Sequence, residues 1–165
     1  MRQSSPQAAH VTIRAEILRQ VALIGLERNG VGNLPDLTGR ALAALAEAGA
    51  DVLFLSQASA SGSPCFVIGQ ERLFAVLDGL RSALNDAFTR QSIVRLWARS
   101  DVILLRVHTF GAVGDICALL AHGGINILMM GGGADGHAWL IAETADPGRV
   151  ARVLCAVPYA QVVGF

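Results

Sequence analysis

The chain has 165 residues, enough for one ordinary domain or two small ones, and 53% of them are hydrophobic against 16% charged, which supplies a core and excludes intrinsic disorder. Thirteen basic side chains balance thirteen acidic ones, and no stretch gathers the basic ones into the patch that binding a phosphate backbone requires, so nucleic acid is excluded as a partner. The same neutrality tolerates self-association.

No apolar run approaches the roughly 18 residues of a membrane span, and Met1 to Ala9 lacks the apolar segment of a secretory signal. The three cysteines, Cys65, Cys117 and Cys155, are odd in number and form no CxxC, which fits a reduced, cytoplasmic protein with buried thiols.

In chain order, residues 1–9 are polar and expected to be disordered. His10 to Leu18 alternates apolar and polar side chains as a half-exposed strand, and Val21 to Leu26 is a second, more continuously apolar one. A loop holding Asn29, Gly30, Gly32 and Asn33 follows. Pro35 suits the first turn of a helix carrying Leu37, Ala41, Leu42, Leu45 and Ala48 at helical spacing, closed by Gly49. Asp51 to Ser56 and Cys65 to Ile68 read as strands around a turn of small residues, and Glu71 to Phe88 as one long amphipathic helix. Ser92 to Trp97 reads as a strand.

The order then restarts. Val102 to Val107 is a strand, Val113 to His122 a helix closed by Gly123 and Gly124, and Ile125 to Met130 and His137 to Glu143 are strands around a glycine-rich turn. Pro147 to Cys155 is a short helix and Tyr159 to Val163 a last strand. Leu45-Ala-Glu-Ala-Gly-Ala-Asp-Val-Leu53 aligns with Leu120-Ala-His-Gly-Gly-Ile-Asn-Ile-Leu128, and Phe66-Val-Ile68 with Trp139-Leu-Ile141. The expected fold is therefore α+β, with two ferredoxin-like βαββαβ modules whose antiparallel sheets pair side by side and carry their helices on one face. Residues 10–91, with an extra leading strand, would form the first module and 92–165 the second.

The segment Gly30-Val-Gly-Asn-Leu-Pro-Asp-Leu-Thr-Gly-Arg-Ala-Leu-Ala-Ala-Leu-Ala-Glu-Ala-Gly-Ala-Asp-Val52 resembles the loop, helix and second strand of an ACT domain. Continued through Leu53-Phe-Leu-Ser-Gln-Ala-Ser-Ala-Ser61 and Cys65-Phe-Val-Ile68, it resembles the C-terminal regulatory region of aspartate kinases, with three motifs in order over about 75 residues. The second unit is similar only at the ACT level, through Leu119-Leu-Ala-His-Gly-Gly-Ile-Asn-Ile127. The resemblance implies tandem ACT modules without a kinase domain: a non-catalytic regulatory protein binding a lysine- or threonine-like amino acid at a module interface. It departs from the family pattern at Asp36, Ser63 and Pro64. Those departures imply either a different ligand or a ligand-free assembly module.

The residues support a ligand on physical grounds as well. Helix starts at Pro35 and Ala112 offer unpaired N–H groups and the positive end of a helix dipole to a carboxylate. Gly30, Gly32 and Gly111 let the backbone approach a ligand, Asp36 can receive an ammonium group, and Gln57 can hydrogen-bond from the second strand. With neighbouring Asn29, Asn33, Leu34 and Leu37 these make the first expected site, and Thr109, Gly111 and Ala112 the second. Gly30-Val-Gly32 with Asp51 imitates a dinucleotide fingerprint. Pro35 occupies its third glycine position and Asp51 opens its strand rather than ending it, so that reading fails. His108, His122 and His137 show no metal-ligand spacing, and no catalytic set stands out. No cofactor is expected. The expected partners are the amino acid, a second copy in a homodimer and a metabolic enzyme.

Overall fold

The computed structural model describes residues 13–29, 34–57, 63–108, 110–132, 136–156 and 160–163. Among the described residues, seven strands and five helices follow one another as β1 (Ile13–Arg28), α1 (Leu34–Glu47), β2 (Val52–Gln57), β3 (Pro64–Gly69), α2 (Leu73–Ala83), α3 (Asn85–Thr89), β4 (Ile93–Val107), α4 (Val113–His122), β5 (Ile127–Gly132), β6 (Ala138–Ala142), α5 (Pro147–Leu154) and β7 (Ala160–Val163). Short 3-10 turns, Gln70–Arg72 and Phe110–Ala112, lead into α2 and α4. The fold is α+β, with two units of the ferredoxin-like type.

Arg19–Ile103 and Glu143–Ala145 make up one unit. Its sheet runs β2-β3-β1-β4, with β3 antiparallel to both β1 and β2. Alternate residues of β1 (Ala22, Ile24, Leu26) and of β3 (Phe66, Ile68) bury one sheet face. Leu37, Ala41, Ala44 and Leu45 of α1 and Val76 and Leu80 of α2 complete that core. The period of two along the strands and of about 3.6 along the helices is what the sequence pattern requires. The long helix expected over Glu71 to Phe88 is broken at Leu84, whose φ of −110° and ψ of 13° leave the helical region. Its side chain is nonetheless fully buried, so the apolar period runs on through the break.

The other unit holds the described residues of Met1–Leu18, Leu104–Ala142 and Asp146–Phe165. Its strands lie in the order β7-β1-β4-β6-β5. Helices α4 and α5 pack together, and Ile116, Leu120, Val150 and Leu154 are buried. Gly49 and Gly124 end their helices at φ of +65° and +66°, the left-handed caps read from the sequence.

The partition differs from the expected boundaries of 10–91 and 92–165. The two strands expected on either side of Arg19 are one strand of 16 residues, and those on either side of residue 100 are one strand of 15. The described part of the leading segment belongs with the C-terminal unit, where Ile13 to Glu16 pair in parallel with Ala160 to Val163. It therefore lies between β4 and β7 instead of extending the first module. The polar pair Arg19-Gln20 suggested a break, but the backbone absorbs it in one residue: Gln20 takes a φ of +56° and the strand continues.

That conformation costs a β-branched side chain roughly 1–2 kcal/mol and costs glycine nothing. Gln20→Val is expected to lower stability by about that amount in urea unfolding, while Gln20→Gly keeps wild-type stability. Equal stabilities for the two variants would show that the left-handed residue is not required.

Candidate functional site

Asn29 donates its N–H to the carbonyl of Ser92 at 3.1 Å, which fixes the end of β1 against the start of β4. Beside this junction lie the first turns of α1 and the short helix α3. Arg28, Ser92, Asp36, Leu37, Arg40, Asp86, Ala87 and Arg90 line a cleft of ≈ 240 Å³ there. Sites for drug-sized ligands run to roughly 300–1,000 Å³, so this one suits a molecule of amino-acid size.

The cleft is organised by one carboxylate. Asp86 accepts from Arg40 through both of its oxygens and from Arg90 Nη2 at 2.5 Å, and Arg40 Nη2 also donates to the Ala83 carbonyl at 2.5 Å. Arg40 thereby ties α1 to the α2–α3 junction. The hydrogen bond from Arg40, followed by the charges of Arg40 and Arg90, holds the Asp86 carboxyl at about 2, below its ordinary 3.8. Asp36 sits one helical turn before Arg40, 3.9 Å from its Nη1 and beyond hydrogen-bond distance.

Of the residues expected at the first site, the structure brings Asp36 and Leu37 into this cleft and Asn29 to its edge. Leu37 is buried and anchors α1 in the core. Gln57 ends β2 beside the second turn of α1 and accepts from Thr38 Oγ1 at 3.3 Å; it does not line the cleft. Leu34 begins α1, and Gly30, Gly32 and Asn33 lie outside the described residues. Arg28, Arg40, Asp86 and Arg90 were not singled out in the sequence. The i, i+4 pairs Asp36/Arg40 and Asp86/Arg90 were visible signals, but nothing local shows that they meet across 46 residues.

At the second expected site Thr109 lies outside the described residues. Gly111 is exposed with open space where a side chain would stand, so no close approach demands glycine there, and Ala112 is buried at the start of α4. The preceding residue that matters is His108. Its Nδ1 lies 3.0 Å from His137 Nε2, with the rings edge to face at 79°. His108 Nε2 is 3.9 Å from Glu16, and Arg106 stacks over Trp139 at 5.4 Å. Burial first, then the positive charges of Arg14, His137 and Arg106, push the His108 pKa down, with Glu16 opposing. Spacing along the chain could not reveal this pair, which strands β4 and β6 bring together. Among the described residues no group of three His, Cys, Asp or Glu side chains is placed to hold a metal ion, and no helix is long and apolar enough to cross a membrane.

No protein-family profile matches the chain. Two curated relatives, chloroplastic bifunctional aspartokinase/homoserine dehydrogenases 1 and 2 of Arabidopsis thaliana, are each 33% identical over 67 residues, 41% of this chain and 7% of theirs. The chain thus spans a small fraction of their length. Among solved structures, the aspartokinase alpha and beta subunits superpose with a TM-score of 0.71 at 16% identity, covering 88% of this chain and 97% of theirs. The ligand-free regulatory subunit of Thermus thermophilus aspartate kinase gives 0.65 at 20% identity, covering 89% and 97%. Aspartate kinase of Synechocystis gives 0.69 at 13% identity, covering 90% of this chain and 27% of that one. The chain has the fold of aspartate kinase regulatory regions, as its residues had suggested.

Acid transitions follow from the groups whose pKa is lowered, His108 in one unit and the carboxylates Asp86 and Asp101 in the other. The His108 pKa is lower in the folded chain, so stability is complete above the unfolded value of about 6.5 and is lost as pH falls through the lower folded value. The Asp86 pKa is also lowered, so its contribution is complete above an ordinary carboxylate value near 3.8 and is lost as pH falls toward about 2. Urea unfolding across pH is expected to show both declines. His108→Asn should remove the upper one, and Asp86→Asn should shrink the lower one, with lower stability at pH 7, leaving the share of Asp101, whose carboxyl the hydrogen bond from Arg99 also lowers. An upper decline that survives His108→Asn would assign it to other groups.

Proposed function

We propose that this chain is a non-catalytic regulatory protein of amino-acid metabolism that binds an amino acid in the cleft at the start of α1. The observation that carries the proposal is the meeting of Asp36, Arg28, Arg40, Asp86 and Arg90 beside a helix N-terminus. An α-carboxylate finds guanidinium groups and the positive end of α1 there, and an α-ammonium finds Asp36. The fold adds support. One neighbour is described as a regulatory subunit of aspartate kinase, and an E. coli aspartokinase III structure, with a TM-score of 0.55, holds lysine and aspartate.

Ligand in the cleft would touch α1, α3 and the ends of β1 and β4 together. It can shift an equilibrium only by binding one state better than another. The states proposed are association states: a homodimer whose affinity for itself, or for a metabolic enzyme read by it, changes with occupancy. A second reading, a ligand-free assembly module, draws on the ion pairs already made within the cleft, where Asp86 holds both Arg40 and Arg90 without help.

Thermal unfolding against each of the twenty amino acids separates the two. A ligand at about ten times its Kd stabilises the folded state by about 1.4 kcal/mol, a readily measured rise in Tm. At least one amino acid at about 10 mM should produce it, with an accompanying change in oligomer distribution by native mass spectrometry. No shift with any of them, together with an invariant oligomer, would favour the ligand-free module.

A further inference from the structure

We propose that the groove between α4 and α5, within the C-terminal unit, is a docking site for an acidic amphipathic helix of a partner protein. The groove belongs to a different unit from the cleft at the start of α1 and does not depend on that cleft being an amino-acid site. The two helices pack together, and Gly123 lets them close, since a side chain there would meet Val153 at 2.5 Å. Outside that contact a groove of ≈ 370 Å³ remains. Half-buried Leu119 and Val153, with exposed Ala156, give it apolar surface, and His122, Arg149 and Arg152 stand exposed around it. No acidic side chain is among its described lining. Arg149 spends only Nη2 on the Gly123 and Gly124 carbonyls, at 2.9 and 3.1 Å, and no carboxylate pairs with it among the described residues. Arg152 meets Asp146 at 3.3 Å through one nitrogen, and its side chain is 72% exposed. Asp115, the acidic residue of α4, stands at the opposite end of that helix from His122.

These features select the occupant. A groove between two helices offers no strand edge, so an extended segment would find no ladder for its backbone, whereas a helix satisfies its own. The outer face of α4 beside the groove carries exposed Gly114, Ala118 and Ala121, and Gly114 has open space where a side chain would stand. Nothing inside the fold therefore demands glycine there, and small residues let a second helix come close. Apolar side chains of that helix would seat against Leu119 and Val153, and flanking carboxylates would meet the open guanidinium nitrogens of Arg149 and Arg152. A second copy is disfavoured, because a two-fold contact through this groove would set its basic side chains against themselves.

Synthetic peptides of about 14 residues serve as probes: leucines at i, i+3, i+4 and i+7 flanked by glutamates, the same pattern with lysines, and a scrambled glutamate version. Fluorescence anisotropy gives their affinities for the full chain and for Arg152→Glu and Ala118→Tyr, and amide NMR shifts locate the contact. Far-ultraviolet circular dichroism confirms that each variant is folded. The patterned glutamate peptide should bind at least about tenfold more tightly than the other two, with shifts centred on residues 114–123 and 149–156. Each substitution should weaken it by about tenfold or more, and added salt should weaken it further. Undetectable binding at about 1 mM peptide would overturn the proposal. Equal binding of the scrambled peptide would reduce the groove to unspecific charge attraction, and equal binding of the lysine peptide to a merely apolar patch; either overturns it. Octanoate displacing the peptide at equal affinity would make it a small-anion site instead. Loss of a homodimer in Arg152→Glu would assign the groove to a second copy.

Discussion

The pairing of β1 with β4 is what the other elements depend on, because each strand is long enough to serve both units. The two strands are neighbours in the sheet, with Asn29 meeting Ser92 in the first unit and His108 meeting Arg14 in the C-terminal one. The first unit takes the later half of β1 and the earlier half of β4, and the C-terminal unit takes the remainder. Neither sheet is complete without a piece of a strand whose other piece is in the second unit. Buried backbone groups must be paired, so the ladder between these strands cannot be lost in one unit without leaving donors and acceptors exposed there.

The same constraint positions the chemistry. Where the ladder ends at Asn29 and Ser92, the first turns of α1 and α3 close over it and the Arg40–Asp86 pair forms. Where the ladder ends at Arg14 and His108, the histidine pair and Glu16 collect beside the turn before α4. Each charged cluster thus lies next to a helix start within its own unit. All thirteen basic side chains of this protein are arginines. Their forked guanidinium groups suit the multiple bonds seen at Asp86 better than an ammonium point charge would.

Much of the fold was legible because local signals agreed with one another. The duplicated Ala-Gly-Ala-Asp and Gly-Gly-Ile-Asn helix ends, with Gly49 and Gly124 in left-handed caps, located α1, α4 and the strands after them to within two residues. The division into units was misread for a physical reason: hydropathy sees Arg19-Gln20 as a break, whereas a single residue of positive φ carries a strand through it. The lining of the candidate cleft was only partly legible. Asp36 and Leu37 follow from a helix start, which is local. Arg90 and Asp86 needed knowledge of how α3 folds back on α1, and the continuous apolar period through Leu84 concealed that α3 was a separate helix.

The central claim is that a small molecule occupies the cleft at the start of α1. Hydrogen–deuterium exchange with and without the amino acid that most raises Tm tests it directly. The account predicts slowed exchange confined to peptides covering residues 28–40 and 84–92, where ligand would order the ends of α1 and α3. Unchanged exchange in those peptides, or protection centred on residues 108–122 instead, would contradict it.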